Sequence, residues 1–331
     1  MSTLKDVATL ACVDASTVSR ALNNHPGVHA ETKKRILKAV EQLSYRPNLL
    51  AKNLRQGKRH TIGIVVPRLH LSVFSTIAQA IEVTARDQGY ATLLCSTAGD
   101  PKVEKEGLNR LRNGLVDGII LAGTGRNKKL ARDIQVSGVP ITQIVRIQDD
   151  SLSSVTVDYE KCGAEAVHYL YKNSCRHIGL ITGSMKLSPY HYRYQGYKKA
   201  LKELGLSEIT AEAKEENQGL DYGYQATQLL LTKDSQLDAI MAATDAQGIG
   251  AMRALKEAGK KIPRDIRIIS LTGHDLGRML ETTMTTMEMP AWKIGEKAAQ
   301  LVLEQIEGKG KNVTPIQHVV YDSVLIQRES A

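Results

Sequence analysis

The sequence is poor in aromatic residues and has no long apolar run. Its 331 residues include one Trp and one Phe, and all aromatic residues together make up 4%. This scarcity argues against a stacking surface for single-stranded nucleic acid. No apolar stretch approaches the ~18 residues that span a membrane, and the first residues, Met1 to Asp6, lack the apolar core of a signal peptide. We therefore expect a cytoplasmic protein without a membrane partner.

Metal-binding and catalytic motifs are also missing from the sequence. The four cysteines, Cys12, Cys95, Cys162 and Cys175, form no CxxC pair, and no histidine cluster accompanies them at zinc spacing. We expect reduced, mostly buried thiols rather than a metal or redox site. The motifs GxxxxGK[ST], GxSxG and HExxH do not occur. The sequence therefore predicts a protein that is not an enzyme and that needs no cofactor and no metal.

Positive charge is concentrated near the N-terminus. The whole chain carries a net charge of +9. Residues 1–60 hold eleven Lys and Arg against four Asp and Glu, a balance of +7, and the other 271 residues carry only +2. A hydrophobic content of 42% is enough for a sizeable core, and the length suggests about two domains. The asymmetry indicates a module that binds a polyanion, attached to a nearly neutral body.

The first residues predict a short helix with a capping box. Thr3 stands three residues before Asp6, which is the spacing of a cap and its reciprocal acid. Apolar residues from Leu4 to Ala11 then recur at helical spacing. We expect this helix to stop near Cys12.

Two further helices complete a predicted helix-turn-helix domain, which we place at residues 1–47. The second should start at Asp14, whose carboxylate can accept from the amide of Ser16 or Thr17. A third helix is predicted over residues 31–44. Two short helices joined by a tight turn and supported by a third form a DNA-binding unit. The alternative is a basic helical bundle with no DNA role, and the charge asymmetry together with the helix spacing favours DNA binding.

Residues 48–57 carry helix formers and end at Gly57. This segment holds about two helical turns, which is too short to be stable alone in water. We interpret residues 48–59 as a hinge helix and linker that fold on DNA and couple the headpiece to the body. A plain linker helix is the alternative.

Four sequence stretches carry a family resemblance. They read TLKDVA at residues 3–8, STVSRALN at 16–23, YRPN at 45–48 and LAKNLR at 50–55. Taken in this order, they resemble the headpiece of LacI/GalR-type bacterial repressors. Cys12 stands where Gly is frequent in that family, and Asp14 stands where Ser is frequent.

The resemblance implies how the headpiece contacts DNA. Ser16, Thr17 and Arg20 would lie on a recognition helix in the major groove. Leu54 would wedge into the minor groove and kink the duplex at the operator centre. Asp14 should repel a nearby phosphate. The full predicted set of DNA-contacting residues is Lys5, Ser16, Thr17, Ser19, Arg20, Asn23, Asn48, Ala51, Leu54 and Arg55.

Short apolar runs alternate with amphipathic stretches from Thr61 onward. This alternation predicts two lobes, each a doubly wound parallel sheet, with a cleft at the carboxyl ends of the strands. Strands are predicted over residues 61–66, 90–95, 117–121, 140–144, 154–157, 177–182, 238–242, 267–271, 283–288 and 319–326. Helical patterns between them include residues 74–88, 102–113, 159–172, 193–204, 245–257 and 291–306.

The family resemblance continues through this body. Its landmarks are GYA at residues 89–91, DGII at 117–120, RYQGY at 193–197, ATDA at 243–246, GIGA at 248–251 and GHD at 273–275. The resemblance implies a core like that of periplasmic binding proteins at residues 60–331, whose chain crosses between the lobes three times. The implied crossings lie near residues 157–161, 288–291 and 316–319. Lobe 1 would comprise about residues 60–158 and 290–317, and lobe 2 about residues 159–289 and 318–331.

Charged residues near the predicted strand ends mark an effector site. The resemblance implies that Arg193 contacts the effector and that Asp275 accepts hydrogen bonds from effector hydroxyl groups. Arg68 and Arg146 would add positive charge, which favours a sugar phosphate, and ion pairs are an equal alternative for these two. The predicted effector-binding set is Arg68, Ser72, Phe74, Arg146, Arg193, Asp245 and Asp275.

These observations predict a sequence-specific DNA-binding transcriptional regulator. We expect a repressor of carbohydrate utilisation genes, controlled allosterically by a sugar or sugar phosphate. A homodimer would let two headpieces read a pseudopalindromic double-stranded operator. The helix at residues 74–88 is a candidate interface through Ile77, Ala80 and Ile81, with packing inside the core as the alternative. A cytoplasmic sugar-binding protein or a sugar-phosphate enzyme with a basic N-terminal appendage is the alternative function.

Overall fold

Three short helices form the described part of the N-terminal unit. The chain divides into two compact units, residues 1–59 and residues 60–331. The computed structural model describes residues 2–45, 58–69, 71–213, 219–273, 275–308 and 315–331. The helices of the first unit are α1 (Leu4–Leu10), α2 (Ala15–Leu22) and α3 (Ala30–Gln42). This is the predicted helix-turn-helix arrangement, with α3 ending two residues earlier than predicted.

Helix α1 begins with the predicted capping box. The amide of Asp6 donates to Thr3 Oγ1 at 3.3 Å, and the amide of Thr3 donates to the Asp6 carboxylate at 2.7 Å. The amide and the hydroxyl of Thr3 both donate to the Asp6 carboxylate, and these two bonds hold the pKa of Asp6 below its usual value because they favour the charged form. Helix α1 ends in a sharp turn at Cys12, which has a φ of 52°, in the left-handed region.

The predicted side-chain cap of α2 is wrong. Asp14 does occupy the N-cap position, but its carboxylate makes no capping hydrogen bond. The amides of Thr17 and Val18 donate instead to the main-chain carbonyl oxygen of Asp14, at 2.9 and 3.1 Å. Because these amides are already bonded, the exposed carboxylate stays at the leading end of α2 without a role in capping it.

A small apolar core holds the three helices together. Val7 of α1, Val18 of α2 and Ile36 of α3 are fully buried, and buried alanines fill the space between them. The apolar faces that pack are those that the sequence predicts. So small a core supplies little stability. The free-energy cost of backbone strain in the turns is therefore large relative to the free energy of unfolding of this unit.

Two six-stranded sheets build the second unit and define lobe 1 and lobe 2. The strands are β1 (Thr61–Val66), β2 (Ala91–Ser96), β3 (Gly118–Leu121), β4 (Ile141–Ile144), β5 (Ser153–Val157), β6 (Ile178–Thr182), β7 (Ile209–Glu212), β8 (Ala239–Ala242), β9 (Arg267–Ser270), β10 (Thr285–Glu288), β11 (His318–Tyr321) and β12 (Val324–Ile326). The order is β11-β5-β4-β3-β1-β2 in lobe 1 and β12-β10-β9-β8-β6-β7 in lobe 2. The strands pair in parallel, except that β12 runs antiparallel to β10.

Helices cover both faces of each sheet, as expected for parallel strands. They are α4 (Ser72–Asp87), α5 (Pro101–Arg112), α6 (Lys128–Val136), α7 (Tyr159–Lys172), α8 (Ser188–Leu204), α9 (Leu220–Lys233), α10 (Asp245–Glu257) and α11 (Ala291–Glu307), with a 3-10 turn at Asp275–Met279. In the register of lobe 1, Val65 pairs with Cys95 on one side and Leu121 on the other. Within the described ranges, no helix combines the length and the apolar character needed to cross a bilayer.

The chain crosses between the lobes three times, after β5, between β10 and α11, and between β11 and β12. In the last crossing, β11 pairs with β5 in lobe 1, whereas β12 pairs with β10 in lobe 2. A single strand over residues 319–326 and a crossing near residues 316–319 are therefore wrong predictions. The physical reason is that Asp322 and Ser323 interrupt the apolar run, and Asp is a poor strand former. Residues 318–321 thus belong to lobe 1.

Helix α4 packs inside lobe 1. Ile77, Ala80 and Ile81 are fully buried in its core. Helix α11 lies so close to this face that a Cβ atom on Gly295 would approach the carbonyl oxygen of Ile77 to 2.5 Å. Packing inside the core is therefore the correct explanation for these apolar residues, and the dimer-interface interpretation of this face is wrong.

The left-handed turn at Cys12 generates a stability prediction. Replacing Cys12 by Gly should raise the free energy of unfolding of the N-terminal unit by about 0.5–1 kcal/mol, because Gly adopts a positive φ without steric cost. Cys12 is exposed, so its side chain contributes no buried packing. Denaturant unfolding of the headpiece, followed by amide hydrogen exchange, would measure the change.

Cys12→Ala is the matched control, because it removes the thiol and keeps the Cβ atom that causes the strain. Equal stability of the Gly and Ala variants would contradict the prediction.

Candidate functional site

Helix α2 presents a polar face. Ser16 and Arg20 are exposed, and Thr17 and Ser19 are half-buried. Hydroxyl groups and a guanidinium are groups that contact phosphates and base edges in DNA complexes. The structure therefore brings these four predicted residues together on one short helix.

The other predicted DNA-contacting residues differ in what the structure shows of them. Lys5 is exposed on α1. The side-chain amide of Asn23 donates to the carbonyl oxygen of Ser19 at 2.7 Å, so Asn23 closes the C-terminal end of α2. Asn48, Ala51, Leu54 and Arg55 lie outside the described residues.

A cavity of about 410 Å³ opens between the two lobes of the second unit. Lobe 1 contributes Ser72 and Phe74 at the start of α4, and Arg146 in the loop after β4. Lobe 2 contributes Arg193 from α8 and Asp245 from the start of α10. The structure therefore brings together five of the seven residues that the sequence predicts for the effector site.

The remaining two predicted effector residues stand apart from this group. Arg68 is not among the residues that line the cavity, and its Nη2 donates to the carbonyl oxygen of Ala98 at 3.2 Å. Asp275 begins a 3-10 turn whose next residue, Leu276, lines the cavity. The side chain of Asp275 lies outside the described parts of the structure.

Arg193 is a buried polar residue of the cleft, with an exposed fraction of 3%. Its Nη1 donates to the carbonyl oxygen of Ala243 at 3.3 Å, and its Nη2 donates to that of Leu271 at 2.6 Å. These carbonyls directly follow β8 and β9. Among the described residues, none accepts a hydrogen bond from the buried Arg193 Nε, so at least one N–H group of the guanidinium is not used by the protein.

The aromatic ring of Tyr159 also contacts Arg193. The guanidinium carbon lies 4.8 Å from the ring centre of Tyr159, at a distance suited to a cation–π contact. The Tyr159 hydroxyl donates to the carbonyl oxygen of Val145 at 2.9 Å. Burial raises the pKa of Tyr159 to about 12, and the Arg193 charge opposes this only in part. The hydroxyl therefore stays protonated and keeps the ring fixed across the cleft.

Acidic side chains occupy two of the helix N-termini that face the cavity. Asp245 lies in the first turn of α10, where its carboxylate accepts from the Ser270 hydroxyl and from the amide of Gly273, the latter at 3.2 Å. Asp221 lies in the first turn of α9 and also lines the cavity. Because a helix N-terminus carries a partial positive charge, each acid neutralises a position that an anionic ligand could otherwise use.

Lobe 1 offers the complementary charge. The Nη1 of Arg146 donates to the carbonyl oxygen of Gly123 at 3.4 Å, and Arg146 is largely buried. The next residue bridges the lobes, since the amide of Ile147 donates to Ser188 Oγ at 3.2 Å. A direct hydrogen bond between the lobes thus lies beside the cavity.

Apolar side chains make up much of the remaining lining, and sequence reasoning does not single them out. They are Leu71, Val73, Val145, Tyr159, Pro189, Tyr190, Leu220, Ile249, Leu276 and Met289. Tyr159 comes two residues after β5, so the rule that ligands bind at carboxyl ends of strands could have found it. Asp221 does not directly follow a predicted strand. It lies in the N-terminal turn of α9, a helix that is not among the predicted helical patterns.

Comparison with known families accounts for almost the whole chain. Residues 3–48 match the family described as bacterial regulatory proteins, lacI family. Residues 59–327 match the family described as periplasmic binding proteins and sugar binding domain of LacI family. The chain belongs to the LacI family.

Individual LacI-family proteins resemble the chain along its full length. The ribose operon repressor of Halalkalibacterium halodurans is 31% identical over 310 residues, which cover 93% of this chain and 92% of the relative. The structure of the transcriptional regulator CelR in complex with cellobiose has a TM-score of 0.74 at 26% identity and covers 100% of both chains. The Lac repressor bound to ONPG in the repressed state has a TM-score of 0.88 at 22% identity, covering 100% of this chain and 99% of that one.

These comparisons confirm the predicted fold and the predicted class of function. The chain is a DNA-binding transcriptional regulator of the LacI family, with a helix-turn-helix headpiece and two α/β lobes. Members of this family are transcriptional regulators rather than enzymes, which argues against the alternative of a sugar-phosphate enzyme.

The buried hydrogen bonds of Asp245 generate a second stability prediction. Asp245→Ala should lower the free energy of unfolding by about 2–3 kcal/mol, because it leaves a buried amide and a buried hydroxyl without their charged acceptor. Thermal or urea unfolding of the full-length protein would measure the loss.

Asp221→Ala is the control, since Asp221 is also a first-turn acid facing the cavity but is exposed. Its loss should cost only about 0.5 kcal/mol, the contribution of an acid at a helix N-terminus. Equal losses for the two variants would show that the hydrogen bonds of Asp245 add nothing.

Proposed function

We propose that this protein represses carbohydrate utilisation genes in the cytoplasm by binding, as a homodimer, to a pseudopalindromic operator. A neutral sugar bound between the lobes controls that binding. The observation that carries the effector proposal is the cleft itself, where Ser72, Phe74 and Arg146 of lobe 1 face Arg193 and Asp245 of lobe 2. A ligand held by both lobes stabilises one relative arrangement of them, which is the requirement for allosteric control.

The balance of charge in the cleft supports a neutral effector over a sugar phosphate. The described lining contains two arginines, Arg146 and Arg193, and two acids, Asp221 and Asp245. Both Nη atoms of Arg193 already donate to main-chain carbonyl oxygens, which leaves fewer of its N–H groups for a phosphate. Arg68, the other arginine that would favour a phosphate, bonds to Ala98 instead.

The mixture of polar and apolar lining fits the two faces of a sugar. Asp221 accepts hydrogen bonds and Arg193 Nε donates them, which matches hydroxyl groups that do both. Phe74 and Leu276 offer apolar surface for the C–H groups of a sugar ring or for an apolar substituent. The complex of the related CelR with cellobiose is consistent with a neutral ligand of this kind.

The proposed dimer requires a self-complementary surface. Strand β2 lies at the edge of the lobe 1 sheet and exposes Leu93 and Leu94, with exposed fractions of 41% and 43%. An exposed apolar edge strand is a liability that natural proteins usually cover. This edge supports a dimer contact in lobe 1, in place of the buried face of α4.

The effector site is tested by one substitution in α8. Arg193→Gln should abolish the change in operator affinity that an effector causes, while operator binding in the absence of effector persists. The reason is that the substitution removes the Nε–H donor that no described residue accepts, together with the cation facing Tyr159. The measurement is fluorescence anisotropy of labelled operator DNA, with and without a sugar identified in a thermal-shift screen of sugars and their phosphates.

Lys202→Gln removes a positive charge from an exposed position of the same helix and should respond to the effector like the unsubstituted protein. A normal response of Arg193→Gln would remove this residue from the site. Sugar phosphates that raise the melting temperature more than their neutral counterparts would contradict the neutral effector.

The hinge is tested by Leu54→Ala. Operator affinity should fall about 10-fold or more, because a smaller side chain unstacks the central base step less effectively. Effector affinity should not change, since the effector site lies in the other unit. Leu37→Ala is the control, because Leu37 is an exposed leucine of α3. Equal operator affinity of Leu54→Ala and Leu37→Ala would refute the wedge.

A further inference from the structure

Asp14 places a negative charge at the leading end of a helix that binds DNA. It is one of only four acids among residues 1–60, against eleven Lys and Arg. Its side chain is exposed and does not cap α2. The carbonyl oxygen of the same residue, not its carboxylate, receives the amides of Thr17 and Val18. The fold of the headpiece therefore does not explain why residue 14 is an acid.

The surroundings of Asp14 are those of a surface that contacts DNA. Asp14 borders a shallow groove between α1 and α2 that also includes Lys5, Thr9 and Ala15. Ser16 and Arg20 are exposed on the helix that Asp14 begins. In helix-turn-helix proteins, the N-terminal residues of the second helix reach the base edges. A carboxylate at residue 14 is thus brought to the major groove together with the groups that bind there.

A carboxylate in the major groove is repelled by the phosphates on both sides. An ionised carboxylate only accepts hydrogen bonds, so a stable position in the groove requires a donor on a base edge. Cytosine presents its N4 amino group as a donor. Guanine presents two acceptors, and thymine an acceptor and a methyl group, so neither can bond to a carboxylate. Adenine places the N7 acceptor beside its N6 donor, and N7 would repel the second carboxylate oxygen.

We propose that Asp14 is a specificity-determining residue that accepts a hydrogen bond from the N4 amino group of a cytosine in each operator half-site. This inference rests on the proposed operator binding and on the major-groove contacts that the family resemblance implies for α2. Asp14 acts largely by exclusion, because its charge penalises every base that cannot donate to it. The single favourable pairing offsets the repulsion from the backbone.

The experiment compares full-length protein with the variants Asp14→Ser and Asp14→Asn in a selection from a randomised duplex library at fixed salt concentration. The unsubstituted protein should favour cytosine at one symmetric position by roughly 10-fold over other bases. Asp14→Ser should lose this preference and keep the preferences at all other positions. Asp14→Asn should shift the preference toward adenine, because an amide offers both a donor and an acceptor.

Binding to non-specific DNA provides a second readout. Asp14→Ser should bind a random duplex more tightly than the unsubstituted protein, because one repulsive charge is gone. The Asp14 side chain makes no capping hydrogen bond, and serine is a favourable N-cap residue, so the melting temperature of Asp14→Ser should stay close to that of the unsubstituted protein. A loss of folding therefore cannot imitate the expected result.

Glu41→Gln is the matched control for charge, since Glu41 is an exposed acid of α3 in the same unit. It should leave every base preference unchanged. Identical base preferences of the unsubstituted protein and Asp14→Ser would overturn the proposal, as would the same loss of preference in Glu41→Gln. If the unsubstituted protein selects no DNA sequence at all, the proposed operator binding is overturned as well. The selection therefore distinguishes failure of the Asp14 proposal from failure of the proposed function.

Discussion

Parallel strand pairing is the constraint on which the rest of the second unit depends. In each lobe, parallel strands bring their carboxyl ends to one edge of the sheet, and the loops that follow them line the cavity. The first turns of α4 and α10, the loop with Arg146, and Tyr159 all lie at such ends. Both lobes line the cavity, so the cleft exists only because the two edges face each other.

Arg193 holds the strand ends around the cavity in fixed positions. Its guanidinium bonds to the carbonyl oxygens that directly follow β8 and β9, and it faces the ring of Tyr159 at the start of α7. A single buried side chain thus ties α8 to two strand ends and to the aromatic wall of the cavity. Groups fixed in this way lose little conformational entropy when a ligand binds, which is the advantage of preorganisation.

The sequence predicts most of the fold because periodic apolar patterns are strong local signals. The bounds of β1, α7 and α10 agree with prediction to the residue. Strand β7 is missed because its sequence, ITAE, contains only two apolar residues. Asp14 makes no side-chain cap, and Arg68 bonds to Ala98 instead of lining the cavity. Both outcomes depend on side-chain orientation, which the spacing of residues in the sequence does not predict. The cleft residues that follow strands are predictable in principle, whereas Asp221 is not.

The third crossing limits how the lobes can move. Only Asp322 and Ser323 separate a strand of one sheet from a strand of the other. Lys161, near the first crossing, binds the Asp322 carboxylate at 2.8 Å, so two of the crossings are joined. Two residues cannot lengthen by more than a few ångströms. The lobes can therefore pivot about this two-residue connection but cannot slide apart, so two arrangements of the lobes would differ in their angle rather than in their separation.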